Sequence, residues 1–375
     1  MVDPITFHNA LAQSGIDFYT GVPDSMLRPF CACVAEHTKK ERHIIAANEG
    51  AAIGLAAGSY LASGRPALVY MQNSGLGNAI NPLLSLADMS VYGIPMILMI
   101  GWRGEPGVKD EPQHVAQGQA TTSLLNAIGV EHYQLPNDTA EATTMLNELR
   151  KQTIKDNKPV AVLVSKNTFA DYHADENDDE PVTLSRERAI ELILNQIKPD
   201  SSVVSSTGMI SRELYELRDH FKQNHDTDFL TVGSMGHCSQ IALGIAVTNS
   251  NKRVICLDGD GAAIMHMGSM AIVGQASSAN LLHVILNNGR HDSVGGQPTC
   301  GLEINFTTIA EGCGYQLVRS ANDETELINA LDAMSDLEGP LLLDVRIGAG
   351  HRKDLGRPEI SPQDQKRNFM RHLLD

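Results

Sequence analysis

The sequence predicts an α/β protein of two successive halves, each a parallel sheet flanked by helices. Three observations lead there. Short runs of β-branched and aliphatic residues recur between longer segments of helical period, as in βαβ units. That alternation stops once, near the middle, in a stretch dense in carboxylates. The length, 375 residues, exceeds what one ordinary core requires and fits two α/β domains of conventional size.

In the first half the strand candidates are 67–71, 95–100 and 160–165, accompanied by helix candidates at 49–63 and 140–153. Periodicity fades over 166–184, and residues 171–180 hold six carboxylates, which reads as a solvated linker. Thr183 or Ser185 can cap the helix that follows. The second half repeats the alternation, with strands at 202–206, 253–257, 281–286 and 341–347 and helices at 186–197 and 324–336. The expected division is therefore a first domain over 1–167, an acidic linker over 168–184, a second domain over 185–350 and a tail over 351–375. The tail is polar, carries the basic cluster His351, Arg352 and Lys353, and reads as a surface strap. No short internal repeat is visible.

A net charge of −16 argues against nucleic acid or an anionic membrane as partner, since both reward clustered Lys and Arg. No apolar run approaches the roughly 20 residues of a membrane span, and the first residues lack a signal layout, so the cytoplasm is the expected compartment. Six cysteines lie scattered without a CxxC pair or zinc-ligand spacing, which points to reduced, mostly buried thiols.

The strongest local signal is RVICLDGDGAAI, from Arg253, followed by LLHVILNNGRHDS. A buried strand runs into Gly259-Asp260-Gly261, a helix follows, and a second buried strand runs into Asn287-Asn288-Gly289. Glycines at a strand–helix junction let backbone N–H groups approach a diphosphate. A carboxylate and an amide oxygen at the carboxyl ends of neighbouring strands can meet, and they are the hard ligands Mg²⁺ prefers. Either motif alone is no more than a tight turn; the ordered pair is far more specific. There is no Lys-bearing Walker loop and no completed GxGxxG fingerprint, so a nucleotide reading lacks support.

This pairing resembles the GDG…NN motif of the thiamine-diphosphate enzymes. The resemblance implies two thiamine-diphosphate-binding-type domains, one for the pyrimidine and one for the diphosphate, with no middle domain. It implies Mg²⁺ held by the Asp260 and Asn288 side chains and the Arg290 carbonyl, with Gly259, Gly261 and Ala262 against the coenzyme. Gly233-Ser234-Met235 resembles the loop whose bulky apolar residue supports the bent coenzyme, and Thr207 and Gly208 look like further contacts. Such an enzyme also needs a carboxyl group that protonates the pyrimidine ring. Glu49, which opens a helix of small residues, resembles that glutamate, although a first-turn carboxylate is also what the helix dipole alone favours. The Gly54 and Gly58 spacing would let this helix pack closely against another. In the family the pyrimidine half of one subunit faces the diphosphate half of a second, so the resemblance implies a homodimer or higher homo-oligomer with active sites at the subunit interface.

Loops 20–29, 70–83 and 101–119 follow strands, where open α/β sheets place ligands. The third carries Arg103, Lys109 and His114 in an acidic protein, which suggests a small anionic substrate. Together with 287–299, these loops resemble those of the phosphonopyruvate decarboxylases, and those of the sulfopyruvate decarboxylases nearly as well. RGEPGVKDEPQH and HDSVGGQPT are the most specific strings. The resemblance implies decarboxylation of 3-phosphonopyruvate to phosphonoacetaldehyde, a step of phosphonate biosynthesis. Asp24, Ser25, Arg103, Lys109, His114 and His291 are candidate contacts of the substrate, and Asp24, His114 or His291 would return a proton to the reacting carbon. Asp24 could equally cap a helix; Asn73 is a candidate coenzyme contact, and Gln72 and Asn73 could either line the pocket or stabilise a turn. Carboligation, and a non-catalytic coenzyme-binding protein, are the more remote alternatives.

Overall fold

Helix starts are written into the sequence: Asp3, Asn48, Asp138, Ser185, Asn305 and Asp323 each accept a first-turn N–H of the helix that follows. Of the two linker caps offered by the sequence, Ser185 is the one used; Thr183 lies outside the described residues. The computed structural model describes residues 1–173, 182 and 184–374, in two compact units, Met1–Asn177 and Asp178–Asp375.

The first unit contains β1 (Tyr19–Gly21), β2 (His43–Ile45), β3 (Ala67–Gln72), β4 (Met96–Gly101), β5 (Glu131–Gln134) and β6 (Val160–Val164). Its helices are α1 (Pro4–Ser14), α2 (Arg28–His37), α3 (Glu49–Ser63), α4 (Leu76–Pro82), α5 (Pro112–Ala127) and α6 (Thr139–Asp156). The strands pair in parallel in the order β2-β1-β3-β4-β6-β5. Both faces of the sheet are covered, which explains uninterrupted apolar runs. On β4, Ile97 and Met99 enter one core, and Met96, Leu98 and Ile100 enter the other.

The second unit contains α7 (Arg186–Gln196), β7 (Ser202–Ser205), α8 (Met209–His220), β8 (Asp228–Leu230), α9 (Cys238–Thr248) and β9 (Val254–Gly259). There follow α10 (Asp260–Met265), α11 (Gly268–Ala276), β10 (Leu281–Asn287), the short hairpin β11 (Arg290–His291) with β12 (Gln297–Pro298), and α12 (Phe306–Cys313). β13 (Leu317–Ala321), α13 (Glu324–Met334), β14 (Leu341–Arg346) and α14 (Pro362–Leu374) complete it. Its main sheet, also parallel, runs β13-β14-β10-β9-β7-β8. Numbered within each unit and read from the same edge, both sheets have the order 2-1-3-4-6-5. The repeat that the sequence does not display is therefore present in topology.

Two expected boundaries shift. Most of the acidic linker, 174–181 and 183, lies outside the described residues. Thr168 and Phe169, assigned to that linker, instead return to the first unit, where the Val2 N–H donates to the Thr168 carbonyl (2.8 Å) and Phe169 stacks on Phe30 at 5.5 Å. The tail is more than a strap, because it ends in α14, whose amphipathic pattern buries Phe369 against the second core and sets its ring 5.6 Å from Phe229. Its basic cluster is partly neutralised: Arg352 pairs with Glu187, Glu216 and Asp354. All six cysteines are free thiols, four of them buried. Among the described residues no helix is long and apolar enough to cross a membrane.

Candidate functional site

In the first unit the residues singled out from sequence gather at the carboxyl ends of β1, β3 and β4. Glu49 is the first residue of α3, only 5% exposed, and its Oε2 accepts from Asn78 Nδ2 at 2.7 Å. Gly75 makes room for it, because a Cβ there would stand 2.3 Å from Glu49 Oε1. Asp24 follows β1 and is fully buried; its Oδ2 takes the Met26 N–H at 3.0 Å, while Oδ1 has no hydrogen-bond partner among the described residues. Burial pushes this carboxyl up to about 6, against the lowering effect of the Met26 N–H and Arg103. Gly101 is sterically obligatory beside it, since a Cβ would lie 2.0 Å from Asp24 Oδ2.

The basic loop is built differently from its sequence reading. Arg103 forks onto Asp110, with Nε–Oδ2 at 2.8 Å and Nη2–Oδ1 at 2.5 Å, and its Nη1 donates to Ser25 Oγ at 3.0 Å. His114 Nδ1 meets the same carboxylate at 3.0 Å, and the Gly104 and Glu111 N–H groups complete its bonding. The Arg103 hydrogen bonds hold Asp110 far below the usual carboxylate range, whereas burial lowers the His114 imidazole. Arg103 and His114 are thus organised around an anion that the count of cations overlooked. Lys109 remains exposed on the loop. Asn73 spends its amide on structure, exchanging hydrogen bonds with the Arg103 backbone and donating to Thr121 Oγ1. Gln72 donates to Ser74. On α3, Gly54 and Gly58 are exposed, and among the described residues nothing beyond the neighbouring backbone would touch a Cβ at either.

In the second unit β9 and β10 are parallel neighbours, with Gly259 opposite Leu286, so Asp260 and Asn288 leave adjacent strand ends together. Asp260 is 2% exposed, accepts from the Thr299 hydroxyl and from the Asn288 N–H, and is nevertheless pushed up to about 6 by burial. A carboxylate whose hydrogen bonds do not offset its desolvation fits a cation at its side. The surroundings are kept open by glycines. A Cβ on Gly301 would lie 2.4 Å from Asp260 Oδ2, and one on Gly261 would lie 2.8 Å from His291 Cε1. Asn288 Oδ1 receives the Arg290 N–H at 3.0 Å as the β11–β12 hairpin begins. Burial lowers the His291 imidazole to about 4, so it is uncharged at neutral pH.

Thr207 and Gly208 follow β7, and a Cβ on Gly208 would touch Ser293 at 3.3 Å, which brings this turn to the hairpin. The loop holding Gly233, Ser234 and Met235 follows β8; Ser234 adopts φ 56°, and Gly236 packs against Met265 and His266 at the end of α10. Ala262 is buried within α10. The residues therefore fit a metal-bound diphosphate: two oxygen donors at neighbouring strand ends, bordered by glycines.

Residues 6–133 match the family described as thiamine pyrophosphate enzyme, N-terminal TPP binding domain, and residues 206–345 match the C-terminal TPP binding domain of the same enzymes. A phosphonopyruvate decarboxylase of Streptomyces viridochromogenes is 35% identical over 374 residues, 96% of this chain and 92% of the relative. The chain belongs to the thiamine pyrophosphate enzymes. A sulfopyruvate decarboxylase of Methanosarcina acetivorans is 28% identical over 385 residues, 97% of this chain and 95% of that one. In Methanothermobacter thermautotrophicus the matches are to separate sulfopyruvate decarboxylase subunits. The β subunit is 34% identical over 168 residues (45% of this chain, 84% of the subunit) and the α subunit 35% over 154 residues (41% and 90%).

As a thiamine pyrophosphate enzyme with two such domains and no middle one, the chain uses thiamine diphosphate with a divalent cation such as Mg²⁺. Sequence reasoning missed Asp110, Asn78, Thr299, Gly301 and Asp292, residues whose importance lies in which candidate they touch. Asp110, Asp292 and Thr299 stood inside strings already quoted, and a rule pairing each loop cation with the nearest carboxylate would have found the first. Among the described residues, Cys256, Asp258 and His283 also bring ligand atoms within 4.8 Å of one another, fully buried. Their order in the chain gives no hint of it. Asp258 Oδ1 holds the Gly259 N–H at 3.0 Å, and its Oδ2 lies 3.5 Å from His283 Nε2.

Proposed function

We propose that the chain decarboxylates 3-phosphonopyruvate to phosphonoacetaldehyde and carbon dioxide. The observation that carries the substrate is the likeness to a phosphonopyruvate decarboxylase over 96% of the chain. Sulfopyruvate is the rival, favoured by a likeness of 28% over 97% of the chain. Bound to the protein, thiamine diphosphate supplies the electron sink that lets the bond to the departing carboxylate break.

The protein's own groups have distinct tasks in this reading. Asp260, Asn288 and the Arg290 carbonyl hold the cation, with Gly259, Gly261, Thr207 and Gly208 along the coenzyme. Glu49, steadied by Asn78, holds a proton on the pyrimidine ring. Asp24, whose carboxyl stays protonated up to about 6, delivers a proton to the carbon that carbon dioxide leaves. Ser25, Arg103, Lys109 and His291 receive the anionic groups, while His114, whose Nδ1 donates to the Asp110 carboxylate, holds in place the partner of Arg103. The His291 imidazole is uncharged at pH 7 and serves as a hydrogen-bonding group, so the charge that Asp110 does not already pair comes from Lys109.

The working assembly in this reading is a homodimer or larger homo-oligomer, with Glu49 of one subunit serving the Asp260–Asn288 group of another. The separate α and β subunits of the relatives support assembly from more than one chain. So does the outer side of α3, where Gly54 and Gly58 are exposed and Leu61 is 73% exposed.

Carbon dioxide release from phosphonopyruvate, sulfopyruvate and pyruvate, with and without thiamine diphosphate and Mg²⁺, tests class and substrate together. Phosphonopyruvate should be preferred; a clear preference for pyruvate would overturn the reading of the basic loop. Glu49→Ala should lower turnover at least about 100-fold, the lower range for general acid–base catalysis, with the circular dichroism spectrum unchanged. Full activity in that variant would defeat the role given to Glu49.

A further inference from the structure

Asn288 has a companion that the reaction does not use. Asp292 Oδ2 accepts three hydrogen bonds: from Asn288 Nδ2 at 2.7 Å, Arg186 Nη1 at 2.9 Å and the Gly350 N–H at 3.0 Å. The two ends of an asparagine amide are nearly the same size, and only one can ligate a cation. A carboxylate only accepts, so the Asn288 NH₂ must face Asp292 and the oxygen must face away from it. The Arg290 N–H, at 3.0 Å from Oδ1, fixes the amide from the other end.

Asp292 is itself held. Arg186 forks onto Glu213 at 2.8 and 3.0 Å, both side chains 5% exposed or less, and gives a second Nη2 N–H to the Gly350 carbonyl at 3.0 Å. The chain after Gly350 is fastened to the same helices: Arg352 binds Glu187 and Glu216, Arg212 binds the Leu355 and Gly356 carbonyls, and the Gly356 N–H returns to Glu216. A continuous path of hydrogen bonds thus runs from the C-terminal strap, through Arg186 and Asp292, to Asn288.

We propose that Asp292, gripped by Arg186 and by the strap at Gly350, is the positioning residue that keeps the Asn288 oxygen presented to the divalent cation. The strap thereby sets how tightly the cation, and with it the coenzyme, is held. This rests on the reading of Asn288 as a cation ligand. Partners that orient metal ligands are typically worth 10- to 100-fold in metal affinity.

The test is calorimetric titration of thiamine diphosphate into the full-length apoprotein at a series of fixed Mg²⁺ concentrations, which requires no turnover. It uses the wild type, Asp292→Ala, which removes the acceptor of the Asn288 NH₂, Asn288→Ala and the double variant. Asp292→Ala should raise the half-saturating Mg²⁺ about 10- to 100-fold, and in the Asn288→Ala background it should add less than about twofold, because both changes act through one side chain. An unchanged Mg²⁺ requirement in Asp292→Ala, or an equal loss in both backgrounds, overturns the proposal. If Asn288→Ala alone leaves the Mg²⁺ requirement at the wild-type value, the ligand reading fails first and the proposal with it. Asp292→Ser guards against misfolding of the first variant; if neither folds, Asp292 is a folding residue and the proposal is overturned.

Discussion

Two carboxyl groups, Asp24 and Asp260, are both raised to about 6 by burial, and both sit against glycines whose missing side chains make room for them. Such groups are costly to the fold, and the cost has a pH signature. For Asp24 the protonated form is favoured in the native state, so its full stability is present below the unfolded value of 3.8 and is lost as pH rises through about 6. The shift corresponds to about 3 kcal/mol once the group is ionised. Asp24→Asn, which cannot ionise, should therefore raise the denaturant midpoint at pH 8 and leave it unchanged at pH 4. A stabilisation equal at both pH values would contradict the burial argument. The same variant should lose decarboxylase activity at every pH, because an amide cannot deliver the proton assigned to Asp24. A residue that lowers stability while it serves the reaction is the expected signature of a functional position.

At the level of elements, long buried segments were legible and short peripheral ones were not. Strands β3, β4, β6, β7, β9, β10 and β14 all fall within a residue or two of their predicted positions, and α3 matches its predicted span, because burial on both sheet faces leaves an unbroken apolar run. β1, β2 and β8 have three residues each, too few to show a period. β5, with the sequence EHYQ on an outer position, has no buried residue to mark it. Asp260 and Asn288 could be found because neighbouring parallel strands end side by side; Asp292 and Gly301 could not, because their partners are chosen by tertiary packing. The tail shows the same limit, its final helix being polar on most of its surface. Phe369 is the main apolar side chain that fastens it. Phe369→Ala should cost about 3 kcal/mol in a denaturant titration, the lower range for a buried phenylalanine. A cost below about 0.5 kcal/mol would mean the helix is not docked in solution.

For the whole molecule, the assignment of Glu49 and Asp260 to different subunits has a direct consequence. Glu49→Gln and Asp260→Ala should each be inactive alone. Mixed under conditions that exchange subunits, they should form hybrids in which one centre receives an intact copy of both residues, recovering about a quarter of wild-type activity for random dimers. No recovery, with exchange verified by mass spectrometry of a tagged partner, would place both residues of a centre on one chain. The two units also share one strand order, 2-1-3-4-6-5, although their motifs have nothing in common. A scaffold used twice in tandem can specialise each copy separately, one keeping an acid and the other an ion-binding turn. Since, among the described residues, every ladder of hydrogen bonds closes within its own copy, a gene fission between the two would cut none of those ladders.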